Sequence, residues 1–492
     1  MSSHGSDFVQ KQRRGPDACA IQRAVPTALI VTHIDSDGNI SLFEHLLSNG
    51  LSPNETAWRS TRLRNVISSL RTYLERANIT GLDLTSYLGS LNDSNAPIVG
   101  LSVSGGGSTS GLGGLGIWQA FDDRYPPAVA AGTGGIVQIL SYLTGLSGGG
   151  GYTVVPLASN NFSTVADLLT KGNYTANYET GPTGNSTSYF EGIFEELGSK
   201  AEEGFTISTG DVLGRFFSNF LAPEWRYRDF SNIATFANHS FALGLGPMPI
   251  VTLVEVINGS SSSYDGVLYP GSNSSILNHL SNYELSPFEF GNWIGGRAEG
   301  FMPTQYIGTT MLNGSVANIS ECVTGFDKMS FVQGSTSDAF NIYLITNFSN
   351  SSLELFAKRD DPAWSPLEKR KTSSSAAAPT SPQPISFGGI SVPSGDENSG
   401  YLELVEQIAS NFNQTVEESL WATYPNPFLD YSKAMSGVED LTLVDGSESG
   451  QTIPFWPLLQ PARKVDFIIA FDGSQDGTDG WNNGTNLIGM FK

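Results

Sequence analysis

Residues 97–121 of the chain read PIVGLSVSGGGSTSGLGGLGIWQAF, and after a short loop residues 134–152 read GGIVQILSYLTGLSGGGGY. Each half is a short apolar run that ends in glycines. The second run ends in GLSGG, which fits G-x-S-x-G, the sharp strand-to-helix turn that holds a nucleophilic serine above a sheet. Small residues are needed around that serine because the backbone there is strained and packs closely against its neighbours. The pattern predicts an acyl-ester hydrolase with Ser147 as the nucleophile.

The glycines of the first half predict a second element of such a site. Gly105, Gly106 and Gly107 directly follow the apolar run. A glycine-rich turn after a neighbouring strand can aim free backbone N–H groups at one point, which is how an oxyanion hole is built. The candidate donors are the N–H groups near Gly106, Gly107 and Gly148. A plain glycine-rich connection is the alternative in a chain with 55 glycines, but the two elements together favour catalysis.

Three other motifs invite different functions. Gly111–Gly116 matches G-x-G-x-x-G, the dinucleotide fingerprint, but it begins too late after the apolar run and lacks the acidic partner. We interpret these glycines as residues that let a helix pack tightly on the sheet. Ser335, in the Gly-Ser-Thr-Ser turn of residues 334–337, is an alternative nucleophile, but no G-x-S-x-G surrounds it. The acidic loop at Asp472 has Asn483 where a calcium loop requires a glutamate, so we expect no metal and no cofactor.

Several motifs together resemble the fungal phospholipase B and lysophospholipase family, relatives of cytosolic phospholipase A. In that family S-G-G-G-Y-R-A-M forms the oxyanion hole and G-L-S-G-G-S-W carries the nucleophile; residues 104–110 and 145–151 match them. Further matches lie at Leu51–Trp58, Pro287–Trp293, Cys322–Asp327 and Leu443–Gly446. The resemblance implies an α/β fold with a three-layer core and a central mixed sheet, like that of patatin and the cytosolic phospholipases.

The chain departs from the family pattern at two places. The family arginine after the glycine triplet is Thr109 here, and the serine and tryptophan after the nucleophile turn are Gly150 and Gly151. In relatives that arginine is thought to bind the substrate phosphate, and a threonine has no charge to do so. The resemblance implies a lysophospholipase or phospholipase B that hydrolyses fatty-acyl esters through an acyl-serine intermediate. The alternatives are an impaired relative retained for lipid or protein binding, or an esterase for uncharged esters.

The serine needs a base, and the histidines do not provide an obvious one. None of the five histidines follows His279, whereas an α/β-hydrolase places its histidine after the serine and the aspartate. A Ser–Asp dyad needs only a carboxylate on a turn near the end of the sheet. Asp445 follows the strand-like run Leu441–Val444 and matches the D-G position of the family. A simple turn aspartate is the alternative; the family match favours Asp445 as the base for Ser147.

Composition excludes some partners. The chain has 26 basic and 48 acidic residues and a net charge of −22. Such a surface repels nucleic-acid phosphates and offers no polybasic attraction to anionic lipid. No stretch approaches eighteen consecutive apolar residues, so we expect no membrane span. The predicted partner is a phospholipid or lysophospholipid substrate, met through transient contact with a lipid interface.

Sequons indicate the compartment. Sixteen N-x-S/T sequons involve half of the chain's asparagines, an excess that points to a secreted or cell-surface glycoprotein. The first forty residues lack a signal-peptide pattern. We therefore expect a truncated or misassigned start.

The predicted organisation has two parts. Residues 1–50 are expected to form a loosely ordered arm, and residues 51–492 to form the catalytic domain. Within the domain, Ser52 and Glu55 form a capping-box pattern that predicts the start of a long helix. Residues 358–400, rich in Ser, Ala and Pro, are expected to form a mobile surface insertion. Because relatives continue past this chain, we expect the C-terminal part of the domain to be missing.

Overall fold

The computed structural model describes residues 50–174, 186–255, 281–293, 296–316, 322–339, 397–416, 418–449, 451–474, 482, 484 and 486–487, and four short strands before residue 50. Most of the predicted insertion, residues 358–396, lies outside the described residues, as does Cys19. The strands are β1 (Gln10–Gln12), β2 (Arg23–Ala24), β3 (Thr32–Ile34), β4 (Ile40–Leu42), β5 (Val99–Val103), β6 (Leu140–Gly145), β7 (Met248–Glu255), β8 (Asn282–Leu285), β9 (Glu289–Gly291), β10 (Gly300–Pro303), β11 (Met311–Leu312), β12 (Ser315–Val316), β13 (Cys322–Thr324), β14 (Ala422–Pro425), β15 (Asp440–Asp445) and β16 (Phe467–Phe471).

Helices connect and cover these strands. They are α1 (Pro53–Ala77), α2 (Leu84–Ser90), α3 (Gly107–Phe121), α4 (Pro126–Ala130), α5 (Ile136–Ile139), α6 (Val155–Ser159), α7 (Val165–Lys171), α8 (Ser186–Glu202), α9 (Thr209–Phe217), α10 (Asn232–Thr235), α11 (Met329–Ser335) and α12 (Glu397–Phe412). None of the helices in the described part of the chain is long and apolar enough to cross a bilayer.

A mixed sheet of ten described strands forms the centre of the fold. Its main path is β16-β5-β6-β7-β8-β9-β10-β2, and β15 joins it beside β7, with β14 paired to β15. The pairs from β16 to β7 are parallel, and the remaining pairs are antiparallel. Every residue of β5, β6 and β7 is buried, as expected for parallel strands with both faces covered. The sheet between its layers of helices confirms the predicted three-layer α/β class.

The long helix α1 begins where its capping pattern predicts. The Ser52 hydroxyl accepts a hydrogen bond from the Glu55 N–H at 3.0 Å, and the helix ends at Asn78 in a left-handed conformation. The Glu55 carboxylate pairs with the buried Arg463 (Oε1 to Nε, 3.0 Å), which also pairs with Glu284 (Oε1 to Nη2, 2.6 Å). This buried ion cluster ties α1 to β8 and to the segment that precedes β16.

Segments before residue 50 also contact the domain. The strand β1 pairs with β13, β2 pairs with β10 at the far edge of the main sheet, and β3 pairs with β4. In β13, Cys322 is buried and disulfide-bonded. Of these four strands, only β2 extends the main sheet; β1 and β13 form a separate two-stranded sheet, and so do β3 and β4.

Candidate active site

The nucleophile candidate sits on a strained turn at the end of a central strand. β6 ends at Gly145, and Ser147 follows with a φ of 51°, a left-handed conformation that costs a non-glycine residue about 1–2 kcal/mol. Ser147 is partly exposed, whereas its neighbours Leu146 and Gly148 are buried. A π-helical turn over Gly149–Val154 and then α6 continue the chain. This strand–turn–helix geometry is the one that G-x-S-x-G predicts.

The two glycine-rich stretches meet directly. A Cβ on Gly148 would overlap the backbone of Gly107, and one on Gly149 would lie 2.5 Å from the carbonyl oxygen of Ser104. The Gly149 N–H donates to that same carbonyl at 3.1 Å. Any side chain at either glycine would therefore force the two loops apart.

Three backbone N–H groups remain available as candidate oxyanion donors. The N–H groups of Ser104 and Gly105 are occupied by the carbonyls of Phe471 and Thr452. Within the described part of the chain, no acceptor lies in hydrogen-bonding position for the N–H groups of Gly106, Gly107 and Gly148. Gly106 and Gly107 have φ values of 127° and 58°, and they lead into α3, whose N-terminal dipole also favours negative charge.

Asp445 reaches the same place because of the sheet topology. On one side of β7, Val251 pairs with Gly145 at the end of β6, and Leu253 pairs with Asp445 at the end of β15. β8 occupies the other side of β7. Since β6 runs parallel to β7 and β15 antiparallel to it, the two carboxyl ends face each other across one residue, Thr252.

The Asp445 carboxyl is fully buried and only half satisfied. Its Oδ1 accepts from the Ser447 N–H at 2.8 Å, and Oδ2 has no aligned hydrogen-bond donor among the described residues. Burial raises the pKa of Asp445 to about 6, while the nearby hydroxyl of Ser147 and the Ser447 contacts lower it. The Ser147 hydroxyl is therefore close enough to lower the pKa of the Asp445 carboxyl, although it makes no aligned hydrogen bond to Oδ2.

The buried histidine His239 does not belong to this pair. His239 is buried, with Nε2 at 3.0 Å from the carbonyl of Ala158 and Nδ1 accepting from the Phe241 N–H. Burial lowers its pKa to about 4. Both ring nitrogens are engaged with the backbone, so His239 is a packing residue.

Comparison with known protein families identifies the family of this chain. The family model for the lysophospholipase catalytic domain matches residues 99–385 and 390–492. The chain belongs to this family. Lysophospholipase 1 and lysophospholipase 3 of Aspergillus fumigatus are each 31% identical to it over 465 and 468 residues, which cover 90% of this chain. The chain spans 63% and 64% of the lengths of these two relatives.

A solved structure shares the fold. Human GIVD cytosolic phospholipase A2 superposes with a TM-score of 0.55 at 16% identity, and the match covers 89% of this chain and 52% of that one. The likeness confirms the predicted phospholipase-like α/β architecture of this lysophospholipase domain.

The departures from the family pattern have clear positions in the lysophospholipase domain. Thr109 lies exposed in the first turn of α3. A Cβ on Gly150 would lie 2.9 Å from Thr336, and one on Gly151 would lie 2.5 Å from the Ser337 hydroxyl. The space beside the nucleophile turn is thus filled by the segment that follows α11.

The rival motifs are accounted for by packing. Gly111–Gly116 lies inside α3. Gly111 packs on Tyr152, and a Cβ added to Gly114 would lie 2.5 Å from the Thr153 hydroxyl oxygen. Gly111, Gly113 and Gly114 therefore serve close helix packing, whereas an added Cβ on Gly116 would meet nothing within 4 Å. Ser335 is buried, and its hydroxyl lies 2.7 Å from that of Tyr424. Among the described residues, no group of three or more His, Cys, Asp or Glu side chains could hold a metal.

Sequence reasoning missed the residues that hold the turn. The Ser147 N–H donates to the carbonyl of Thr336 at 2.8 Å, and the Ser337 hydroxyl donates to the carbonyl of Ser147 at 3.0 Å. The Gln333 side-chain amide donates to the carbonyl of Gly151. The only local signal was the Gly-Ser-Thr-Ser turn at residues 334–337, which the sequence offered only as an alternative nucleophile site.

Proposed function

We propose that this chain is a lysophospholipase or phospholipase B that hydrolyses fatty-acyl esters of lysophospholipids or phospholipids. In this proposal Ser147 is the nucleophile and Asp445 is its base. The observation that carries it is the meeting of two strand ends, which brings the Ser147 hydroxyl beside the buried carboxylate of Asp445. Family membership supports the same reaction class.

Acylation follows from the positions of these groups. The Asp445 carboxylate accepts the Ser147 proton as the serine oxygen attacks the ester carbonyl carbon. The N–H groups of Gly106, Gly107 and Gly148 bind the negative oxygen of the tetrahedral intermediate, and one such donor is worth roughly 3 kcal/mol in related reactions. The intermediate collapses as the ester C–O bond breaks. The departing alcohol takes the proton from Asp445, and the acyl group stays on Ser147.

Deacylation repeats these steps with water. Asp445 accepts a proton from a water molecule, whose oxygen attacks the acyl carbon. The same three N–H groups stabilise the second intermediate. Its collapse releases the fatty acid and returns the proton to Ser147.

The proton affinity of Asp445 suits this role. With a pKa of about 6, the carboxyl is largely ionised at pH 7 and is a stronger base than an exposed aspartate. A general base is most effective when its pKa lies near the working pH.

Thr109 supports a second candidate function. Its side chain is exposed and uncharged at the position where the family arginine is thought to meet the substrate phosphate. An esterase for uncharged esters needs no such charge. A family member that retains only lipid or protein binding would lack turnover on both kinds of ester.

Parallel assays separate these functions. Fatty-acid release from lysophosphatidylcholine and hydrolysis of a neutral short-chain ester are measured for the wild type, Ser147→Ala and the control Ser335→Ala. The proposed function requires Ser147-dependent turnover of the lysophospholipid. Turnover of the neutral ester alone would support the esterase, and no turnover would leave the binding function. Fluorophosphonate labelling should map to Ser147 and be lost in Asp445→Asn.

We also propose that the chain passes through the secretory route. The sequon asparagines Asn54, Asn78 and Asn92 are exposed, as glycan attachment requires. The test is to express the chain in a fungal host and to compare its mass before and after digestion with an endoglycosidase. We expect the mass to decrease on digestion, and an unchanged mass would contradict the proposal.

A further inference from the structure

The segment Thr336–Asp338 contacts both halves of the proposed dyad. Thr336 accepts from the N–H of Ser147 at 2.8 Å, and the carbonyl of Asp338 accepts from the N–H of Asp445 at 3.2 Å. The Ser337 hydroxyl donates to the carbonyl of Ser147 at 3.0 Å. One tripeptide therefore bonds to the backbone of the nucleophile on both sides and to the backbone of the base.

The segment also fills the gap between the two strand ends. Thr252 is the β7 residue that lies between the pairings to Gly145 and Asp445. Its carbonyl accepts from the Thr336 hydroxyl at 2.8 Å. Hydrogen bonds from this segment therefore bridge the end of β6, Thr252 of β7 and the end of β15.

We infer that Ser337 is a positioning residue that holds Ser147 in its left-handed conformation, an inference that rests on the proposed function. A serine with a φ of 51° keeps that conformation only where its surroundings enforce it. Among the described residues, the Thr336 carbonyl and the Ser337 hydroxyl both hydrogen-bond to the Ser147 backbone, and the second contact is made by a side chain. Without this bond, the partly buried carbonyl of Ser147 loses a donor. The serine hydroxyl can then leave the line between the proposed base and the candidate oxyanion donors.

The glycines after the nucleophile make this contact possible. An added Cβ on Gly151 would lie 2.5 Å from the Ser337 hydroxyl oxygen. A side chain at this position and the Ser337 hydroxyl cannot occupy the same space. The replacement of the family tryptophan by Gly151 thus opens the route by which Ser337 reaches Ser147.

The inference is tested with Ser337→Ala and the matched control Ser335→Ala. Both changes remove one buried hydroxyl, but that of Ser335 bonds to Tyr424 and Val332. Active sites are counted by fluorophosphonate labelling, so that kcat refers to competent enzyme alone. We expect Ser337→Ala to lower kcat per labelled site and the labelling rate about tenfold, with KM changed less than twofold. Ser335→Ala should keep kcat within twofold, and Ser337→Thr, which retains a donor, should recover most of the loss.

A second variant approaches the same contact from the other side. Gly151→Ala should displace the Ser337 hydroxyl and lower kcat per labelled site to a similar extent. A normal kcat per labelled site in both Ser337→Ala and Gly151→Ala would overturn the inference, even if the melting temperature or the labelled fraction fell. A wild-type chain without Ser147-dependent turnover would instead refute the proposed function, and the positioning role with it.

Discussion

Replacing Asp445 by asparagine should abolish activity and at the same time stabilise the protein in a pH-dependent manner. The carboxyl is fully buried, and its pKa is raised by burial from 3.8 to about 6. The folded protein therefore binds this proton more tightly than the unfolded chain does. As a result, the stability contribution of this group is highest at low pH and falls as the pH rises from about 4 to about 6.

The size of the effect follows from the two pKa values. A tenfold difference in proton affinity corresponds to about 1.4 kcal/mol, so the ionised Asp445 carboxylate costs the folded state roughly 2–3 kcal/mol at pH 8. Asparagine has a similar shape and cannot ionise. The stability difference between Asp445→Asn and the wild type should therefore grow by about 2 kcal/mol between pH 4 and pH 8.

Urea unfolding of both proteins at a series of pH values measures this difference. Ser147→Ala is the matched control because it is equally inactive but keeps the carboxylate. Since the Ser147 hydroxyl lowers the pKa of Asp445, this control should show no gain at pH 8. A stability difference for Asp445→Asn that does not change with pH would refute the reasoning. In the wild type, kcat/KM should rise as the pH increases through about 6 and then level off.

Three further substitutions test other parts of the structure. Gly148→Ala places a methyl group against the Gly107 carbonyl and should lower kcat about a hundredfold or more. The control is Gly116→Ala, whose added Cβ meets nothing within 4 Å and which should leave kcat unchanged. Equal effects of the two substitutions on kcat would contradict the packing argument. Arg463→Met leaves two buried glutamates without their cation and should destabilise the fold by about 3–5 kcal/mol in urea unfolding, whereas a loss below about 1 kcal/mol would show that the cluster is unimportant. Thr109→Arg should raise turnover of lysophosphatidylcholine relative to a neutral ester, and an unchanged ratio would show that the missing charge does not limit substrate choice.

Local pattern was sufficient for the parts of the site that lie close together in the chain. The turn at Ser147 and the glycines at 105–107 each follow an apolar run, and strand-to-turn geometry depends on a few neighbouring residues. The same holds for the start of α1 at Ser52. The helical role of Gly111–Gly116 was also predictable, because a fingerprint that misses the strand end cannot cradle a phosphate.

Contacts between distant residues were not predictable in this way. Glu55 fits a capping box by its spacing, yet its carboxylate pairs with Arg463, 408 residues away. Ser337 bonds to Ser147 across 190 residues, and the turn at residues 334–337 suggested only an alternative nucleophile. Asp445 was predicted from its position after a strand-like run and from the family pattern. Its position opposite the Ser147 turn, however, depends on the pairing of β15 with β7.

The hydrogen bonds of residues 104 and 105, which lie just before the candidate oxyanion donors, have a consequence for how the protein is made. Ser104 and Gly105 donate their N–H groups to Phe471 and Thr452, and β5 is flanked by β16. These partners leave the ribosome more than 300 residues after the loop itself, which at cellular synthesis rates takes roughly 15–60 s. During that interval the nascent chain carries a serine without its base and a loop without its anchors. The proposed ester hydrolysis can therefore begin only after translation has passed the last of these contacts.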